Sequence, residues 1–160
     1  MITVATGNFE TIRTTAATLE IQNCLILYTP SKGMLEYANQ AKALLDSLNV
    51  ENLPVETKIA KIEFDFDQDV TNQVEFRRNL ASAFHQAIGE FSSNCAAENL
   101  AIDLTPGFLT IKTVMLETVS RTGNLFVYLK HSWQGRNVKY GSEELVIWRK
   151  GESWLESRPT

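Results

Sequence analysis

Short apolar runs of strand length alternate along this chain with stretches whose apolar residues recur every three to four positions. Those are the periods of strand and helix respectively. Ile2-Thr3-Val4-Ala5 is a β-branched run that ends at Thr6-Gly7-Asn8, and from about Thr11 the pattern turns helical, with Ile12, Ala16 and Leu19 on one face. Cys24-Leu25-Ile26-Leu27-Tyr28 is continuously apolar and is broken by Thr29-Pro30-Ser31-Lys32-Gly33. Ala38, Ala41, Leu45 and Leu48 then mark a second amphipathic helix. A polar connection over 50–58, containing Pro54, leads to Ala60, Ile62, Phe64 and Phe66 alternating with Lys61, Glu63, Asp65 and Asp67. Strict alternation leaves one face wet and predicts a strand near a sheet edge.

Val74, Leu80, Phe84, Ile88 and Phe91 trace the stripe of a long helix. Leu100-Ala101-Ile102 predicts a short strand that ends in Asp103-Leu104-Thr105-Pro106-Gly107. Ile111, Val114 and Met115 open the next helix, which stops near Thr122-Gly123-Asn124, and Leu125-Phe126-Val127-Tyr128-Leu129 is the fifth strand. Asn137-Val138-Lys139-Tyr140 and Glu144-Leu145-Val146-Ile147-Trp148 flank Gly141-Ser142 and read as a terminal hairpin. The plan is β-α-β-α-β-α-β-α-β and then a hairpin. Short loops between strands and helices favour right-handed crossovers. The expectation is an α/β, Rossmann-like open sheet, mainly parallel, with helices on both faces.

Length agrees with one domain: 160 residues, with the α/β core expected over 1–135 and the hairpin and tail over 136–160. Hydrophobic residues make up 44% and charged residues 21%, an ordinary globular balance that excludes a disordered, collagenous or coiled-coil chain. No apolar stretch is long enough to span a bilayer, and the N-terminus lacks the basic and apolar regions of a secretory signal. Cys24 and Cys95 sit among apolar neighbours without metal-ligand spacing, so they read as buried thiols of a reducing, cytoplasmic compartment. The net charge is −4, with acids concentrated in 59–103 and bases in 104–160. Duplex nucleic acid needs a broad positive face and is not an expected partner. A local anion site is compatible with that distribution.

In an open parallel sheet, ligands sit beyond the carboxyl ends of the strands, where the strand order reverses. If the first and fourth strands are neighbours there, Thr6, Gly7, Asn8 and Phe9 share a crevice with Asp103, Thr105, Pro106, Gly107 and Phe108. Glycine, hydroxyls and helix N-termini in both loops suit a phosphate. No GxGxxG or Walker sequence is present, so a dinucleotide or ATP site is not expected. In the fourth loop, Asp103 is placed to cap turn amides, Thr105 to present a hydroxyl, and Gly107 to admit a ligand to the backbone. An ordinary βα turn uses Asp and Thr in the same way, to satisfy its own donors.

The short first strand with its hydroxyl-bearing loop, and Asp103, Thr105 and Gly107 after the fourth strand, resemble the CARF domain, the Rossmann-like sensor of type III CRISPR systems. In that family the fourth strand ends in Asp-x-Thr-x-Gly-x-Lys; here Leu109 stands at the lysine position, with Thr110 and Lys112 close behind. The likeness extends over roughly residues 1–135 by order of elements. It implies a homodimer whose joined crevices hold a cyclic oligoadenylate, most readily the symmetric tetra-adenylate ring. It further implies that Thr6, Gly7 and Asn8 meet ribose or phosphate, that Thr105, Gly107 and Phe108 line the floor, and that Ser31 and Lys32 meet an outer adenine or phosphate. Antiviral signalling through a fused effector module, a nuclease or membrane segment absent from these residues, completes the implied picture. No cofactor or metal is expected.

Two other functions stay open. A ring nuclease would cleave the same messenger without metal, through attack of a ribose 2′-hydroxyl on its own 3′-phosphodiester, with Lys112, Thr105 and Ser31 as the catalytic candidates. An α/β enzyme acting on a phosphorylated metabolite is the third, since fold alone does not dictate chemistry. Elsewhere the residues point to structure. His85 and His131 are too few for a metal cluster, and Asp65, Asp67 and Asp69 lack the glycine and glutamate of a calcium loop. Phe64, Phe66, Trp133 and Trp148 read as core or dimer contacts, Arg77-Arg78 as pairing with Glu75 or solvent, and no G-x-S-x-G nucleophile elbow exists. Glu143-Glu144 with Lys150 bears only a weak likeness to a nuclease carboxylate–lysine set.

Overall fold

The computed structural model describes residues 1–50, 53–66, 72–93, 95–106, 109–118, 124–130, 133–134, 137–138 and 144–150. In chain order the elements are β1 (Ile2–Val4), α1 (Phe9–Thr18), β2 (Asn23–Tyr28), α2 (Met34–Asp46), β3 (Asn49–Val50), β4 (Leu53–Pro54) and β5 (Glu56–Lys61). There follow α3 (Gln73–Ser93), a 3-10 turn (Ala97–Asn99), β6 (Ala101–Asp103), α4 (Leu109–Thr118), β7 (Leu125–Lys130), β8 (Trp133–Gln134), β9 (Asn137–Val138) and β10 (Glu144–Arg149). The main sheet has six strands in the order β10-β7-β6-β1-β2-β5. All its neighbours run parallel except β10, which is antiparallel to β7. Taking the six in chain order, the sequence across the sheet is third, second, first, fourth, fifth, sixth. The order therefore reverses between β1 and β6, the arrangement of a Rossmann-like open sheet.

Strands covered on both faces carry apolar residues at nearly every position. Ile2, Val4, Leu25 and Leu27 face Leu80, Phe84, Ile88, Ile111 and Met115 of α3 and α4. On the other face Ile26 and Cys24 meet Ile12, Ala16, Ala38, Ala41 and Leu45 of α1 and α2. Burial pushes the Cys24 thiol up to about 12, so this sulfur stays protonated and inert. Cys95 is half-buried rather than buried. Arg77 of α3 forms its ion pair with Glu117 of α4, not with the neighbouring Glu75. No helix among the described residues is long and apolar enough to cross a membrane.

Three predicted elements differ in detail. The third main strand is Glu56–Lys61, earlier than the alternation over 60–66 suggested, because it pairs residue for residue with Asn23–Tyr28. Ile62 and Phe64 are buried beyond its end, where Phe64 meets Phe66 and Phe76 edge-on at 4.9 and 5.0 Å. The alternation is real, but half of it seals α3 rather than extending the sheet. The polar connection contains the small β3–β4 ladder, Asn49 opposite Pro54 and Val50 opposite Leu53. At the other end, β10 pairs with β7 and becomes the sixth strand, while Asn137–Val138 pairs with Trp133–Gln134. Residues 139–143, which hold the end of the expected strand 137–140 and the expected turn at Gly141-Ser142, lie outside the described residues. Val74, expected on the stripe of α3, is exposed, and in that first turn Phe76 packs against the core instead.

Helix α1 ends in a Schellman motif. Ile21 N donates to Ala16 O at 3.0 Å and Glu20 N to Ala17 O at 3.3 Å, with Glu20 at φ 53°. That left-handed position usually belongs to glycine, because a Cβ there crowds the next carbonyl. Glu20→Gly is therefore expected to raise stability by about 0.5–1 kcal/mol, after the extra chain entropy of glycine is subtracted. Thermal melts of the two proteins check this; an unchanged or lower midpoint would mean the Glu20 side chain makes a compensating contact.

Candidate functional site

Because β1 and β6 are neighbours, with Ile2 opposite Ile102, the loops that follow them leave the same end of the sheet side by side. The loop after β2 lies on the far side of the first, since β1 also pairs with β2 through Val4 and Leu27. The three loops named from the sequence thus stand in the spatial order fourth, first, second along one edge.

The fourth loop is built on Asp103, which is fully buried. Its Oδ2 accepts the Thr3 hydroxyl at 2.9 Å and its Oδ1 accepts the Thr105 amide at 2.9 Å. Burial pushes the Asp103 carboxyl up from its ordinary value; the Thr105 amide and hydroxyl, the Thr3 hydroxyl and the positive Lys112 oppose that shift. Thr105 continues the sheet past the end of β6. Leu104 N still donates to Val127 O at 2.8 Å, and then the Thr105 hydroxyl oxygen replaces a carbonyl by accepting Leu129 N at 2.7 Å. Lys112, one turn into α4, reaches back to donate from Nζ to Thr105 O at 3.1 Å. Its ammonium lies 5.7 Å from the centre of the Tyr128 ring. Partial burial lowers the Lys112 pKa, against the pull of Asp103. Thus Asp103, Thr105 and Lys112 are brought together as one turn, with Pro106 buried beside them and Leu109 80% exposed at the first position of α4. Gly107 and Phe108 lie outside the described residues.

The first loop is more open. Gly7 and Asn8 are exposed, while Thr6 and Phe9 are half-buried. Asn8 N donates to the Thr6 hydroxyl at 3.4 Å, and the Thr11 hydroxyl donates to Asn8 O at 2.8 Å. The Asn8 side chain does not cap α1, although it holds the N-cap position. The Tyr37 ring of α2 lies over Gly7, so that a Cβ built there would stand 3.5 Å from the ring, an ordinary contact.

Ser31 and Lys32 are exposed in the second loop, where Thr29 and Ser31 share a 3.4 Å hydroxyl contact and Gly33, at φ 84°, starts α2. A shallow cavity of about 660 Å³ opens there, walled by Ser31, Lys32, Glu36, Asn39, Tyr28 and Lys61. Of the expected ligand contacts it takes in only Ser31 and Lys32. Lys61, on the edge strand, pairs with Glu63 at 2.8 Å, a hydrogen bond that raises its pKa. A larger cavity, about 1000 Å³, lies at the opposite end of the sheet among Asn23, Glu56, Leu100, Leu125 and the break in α3 at Gly89. It adjoins the amino ends of the strands, where among the described residues no βα loop or helix N-terminus converges, so the carboxyl-end loops remain the better candidate despite their smaller volume.

Three contributors were not singled out from the sequence. Thr3 had a signal: a hydroxyl inside a strand buried on both faces needs a buried partner. Tyr37 and Lys61 carried none, since each reaches the loops only through the packing of α2 and β5. No protein-family model matches this chain, and no curated protein matches it.

Proposed function

We propose that this chain is a ligand-binding domain for a cyclic oligoadenylate, with cyclic tetra-adenylate the first choice, and that it signals as a homodimer to an effector module. The observation that carries the reading is the placement of Thr6–Phe9 and the Asp103–Thr105 turn on adjacent strands at the reversal of strand order. Two kinds of anion-holding group lie there: the exposed Gly7 and Asn8 ahead of α1, and Thr105 with the Lys112 ammonium that reaches back to it from the first turn of α4. The resemblance in Asp103, Thr105 and Gly107 supplies the ligand class and the type III CRISPR setting. Asp103 acts in this reading through Thr105, as a buried brace, and Ser31 and Lys32 form an outer contact. Binding closes the protomers around the ring and passes the change onward.

A second reading, the ring nuclease, draws on one specific feature. Lys112 is turned toward the Thr105 loop and not away from it, so an ammonium stands near the place a scissile phosphate would occupy. In that reaction the ribose 2′-oxygen bonds to phosphorus, the 5′-oxygen leaves, and a 2′,3′-cyclic phosphate ends a linear product.

Calorimetric titration with cyclic tri-, tetra- and hexa-adenylate, followed by chromatography of the recovered ligand, tests both. One intact ring bound per dimer is the expected result. Linear products would replace the sensor by the ring nuclease, and absence of heat with all three rings would overturn both readings.

A further inference from the structure

The cavity of about 660 Å³ beyond the second loop has an apolar and a polar wall. Tyr28, the last residue of β2, is half-buried and packs on the α1–α2 side of the sheet, and the exposed Leu35 of α2 lines the same space. Glu36 and Asn39 supply the polar wall. They stand three residues apart on α2, one turn above the other on a single face. One Glu36 oxygen accepts Gln40 Nε2 at 3.3 Å. The other, and the whole Asn39 amide, have no hydrogen-bond partner among the described residues. Lys61, the cation that β5 contributes, is already held by Glu63.

The same helix ties this cavity to the first loop. Tyr37, the residue after Glu36, lies over Gly7. Strand β2 is the immediate neighbour of β1, about 4.8 Å away. A phosphate held on the first loop therefore leaves the base of its own nucleotide within reach of the cavity.

We infer that this cavity is a base subsite of the proposed ligand site, in which Glu36 and Asn39 select a 6-aminopurine over a 6-oxopurine. The inference rests on the cyclic oligoadenylate reading and adds to it the groups that tell adenine from hypoxanthine or guanine. Adenine presents an amino group beside a ring nitrogen that accepts a hydrogen bond. Asn39 matches that edge as a bidentate pair, its NH₂ donating to the ring nitrogen and its oxygen accepting from the amino group. The Glu36 carboxylate, which only accepts, takes the second amino hydrogen. A 6-oxopurine sets its carbonyl oxygen against that carboxylate, acceptor against acceptor, and both lose a partner. Stacking on the Tyr28 ring holds a base in place but is indifferent to which base it is. Discrimination therefore falls to the α2 wall, and Ser31 and Lys32 remain for ribose or phosphate.

Calorimetry with cyclic tetra-adenylate and with its hypoxanthine counterpart, cyclic tetra-inosinate, tests it on the full chain. Wild type is expected to bind the adenylate ring about tenfold more tightly or better. Glu36→Gln should bring the two rings to within about threefold, because its NH₂ donates to the oxo oxygen; a merely structural role would weaken both rings alike. Asn39→Leu should weaken the adenylate ring about tenfold. Both positions are exposed, and thermal melts establish that the variants fold as wild type does. Equal affinity of wild type for the two rings, a Glu36→Gln protein that keeps the full preference, or Asn39→Leu at wild-type affinity would overturn the base subsite and leave the ligand reading standing. Heat from neither ring would overturn the tetra-adenylate reading and the subsite together.

Discussion

Asp103→Ala is expected to destabilise the protein by about 2–4 kcal/mol, while Asp103→Asn leaves it folded and at least as stable at neutral pH. Alanine strands two donors at once, the buried Thr3 hydroxyl and the part-buried Thr105 amide, and each such orphan costs roughly 1–3 kcal/mol. Thr105 then loses its place, and with it go the Leu129 hydrogen bond and the anchor of Lys112. Asparagine keeps both partners: its oxygen accepts the Thr105 amide, and its NH₂ donates to the Thr3 oxygen. It also removes a charge that burial disfavours.

The pH dependence follows from the direction of the shift. Asp103 has a carboxyl pKa raised by folding, so the folded state holds this proton more tightly than the unfolded chain does. Its contribution to stability is therefore complete below the unfolded value near 3.8 and is lost as pH rises through the folded pKa. The asparagine variant lacks that contribution to the slope. Urea unfolding of the three proteins between pH 4 and pH 8 reads both effects. An asparagine variant as unstable at pH 7 as the alanine one would show that the ionised carboxylate is needed, with Lys112 the nearest cause.

If the proposed reading holds, Gly7→Asp is expected to abolish most cyclic tetra-adenylate binding while sparing the fold. The position is exposed, its φ is not in the left-handed region, and a Cβ there meets the Tyr37 ring at ordinary distance, so an aspartate fits. An acid just ahead of α1 even complements the positive end of the helix. Against a phosphate about 5 Å away, at an effective dielectric constant near 20, the new carboxylate costs about 3 kcal/mol, on the order of a hundredfold in affinity. Calorimetry with cyclic tetra-adenylate reads the loss, and a melt reads the stability. Unchanged affinity in a folded variant would remove the first loop from the site.

Most of the architecture was legible because burial on both faces of a parallel sheet leaves continuous apolar runs, as in residues 24–28 and 125–129, and because amphipathic helices separate them. Places where the reading slipped share a cause. Ile62, Phe64 and Phe66 alternate like a strand, yet the partner strand β2 stops at Tyr28, and what lies beyond it packs on α3 instead. Glu144–Arg149 has strand chemistry, but nothing local says whether it turns back on 137–140 or joins β7; it joins β7 in a full six-residue register. Strand pairing is a long-range choice, decided by which neighbour offers a complementary face.

The candidate site divides along the same line. Local chemistry in the sequence was enough to mark Asp103 and Thr105 as a turn, since an aspartate after a short strand reaches the amide two residues on whatever surrounds it. That Thr3 would be the second partner of Asp103, 100 residues away in the chain, depended on β1 and β6 being neighbours. So did the meeting of the first and fourth loops. The return of Lys112 to Thr105 required the exit angle of α4, and the Tyr37 ring over Gly7 required α2 to pack beside α1. Hydrophobic period and turn chemistry act over a few residues and could be read in order. Strand order and the depth at which a carboxylate is buried arise only when distant segments compete for the same core.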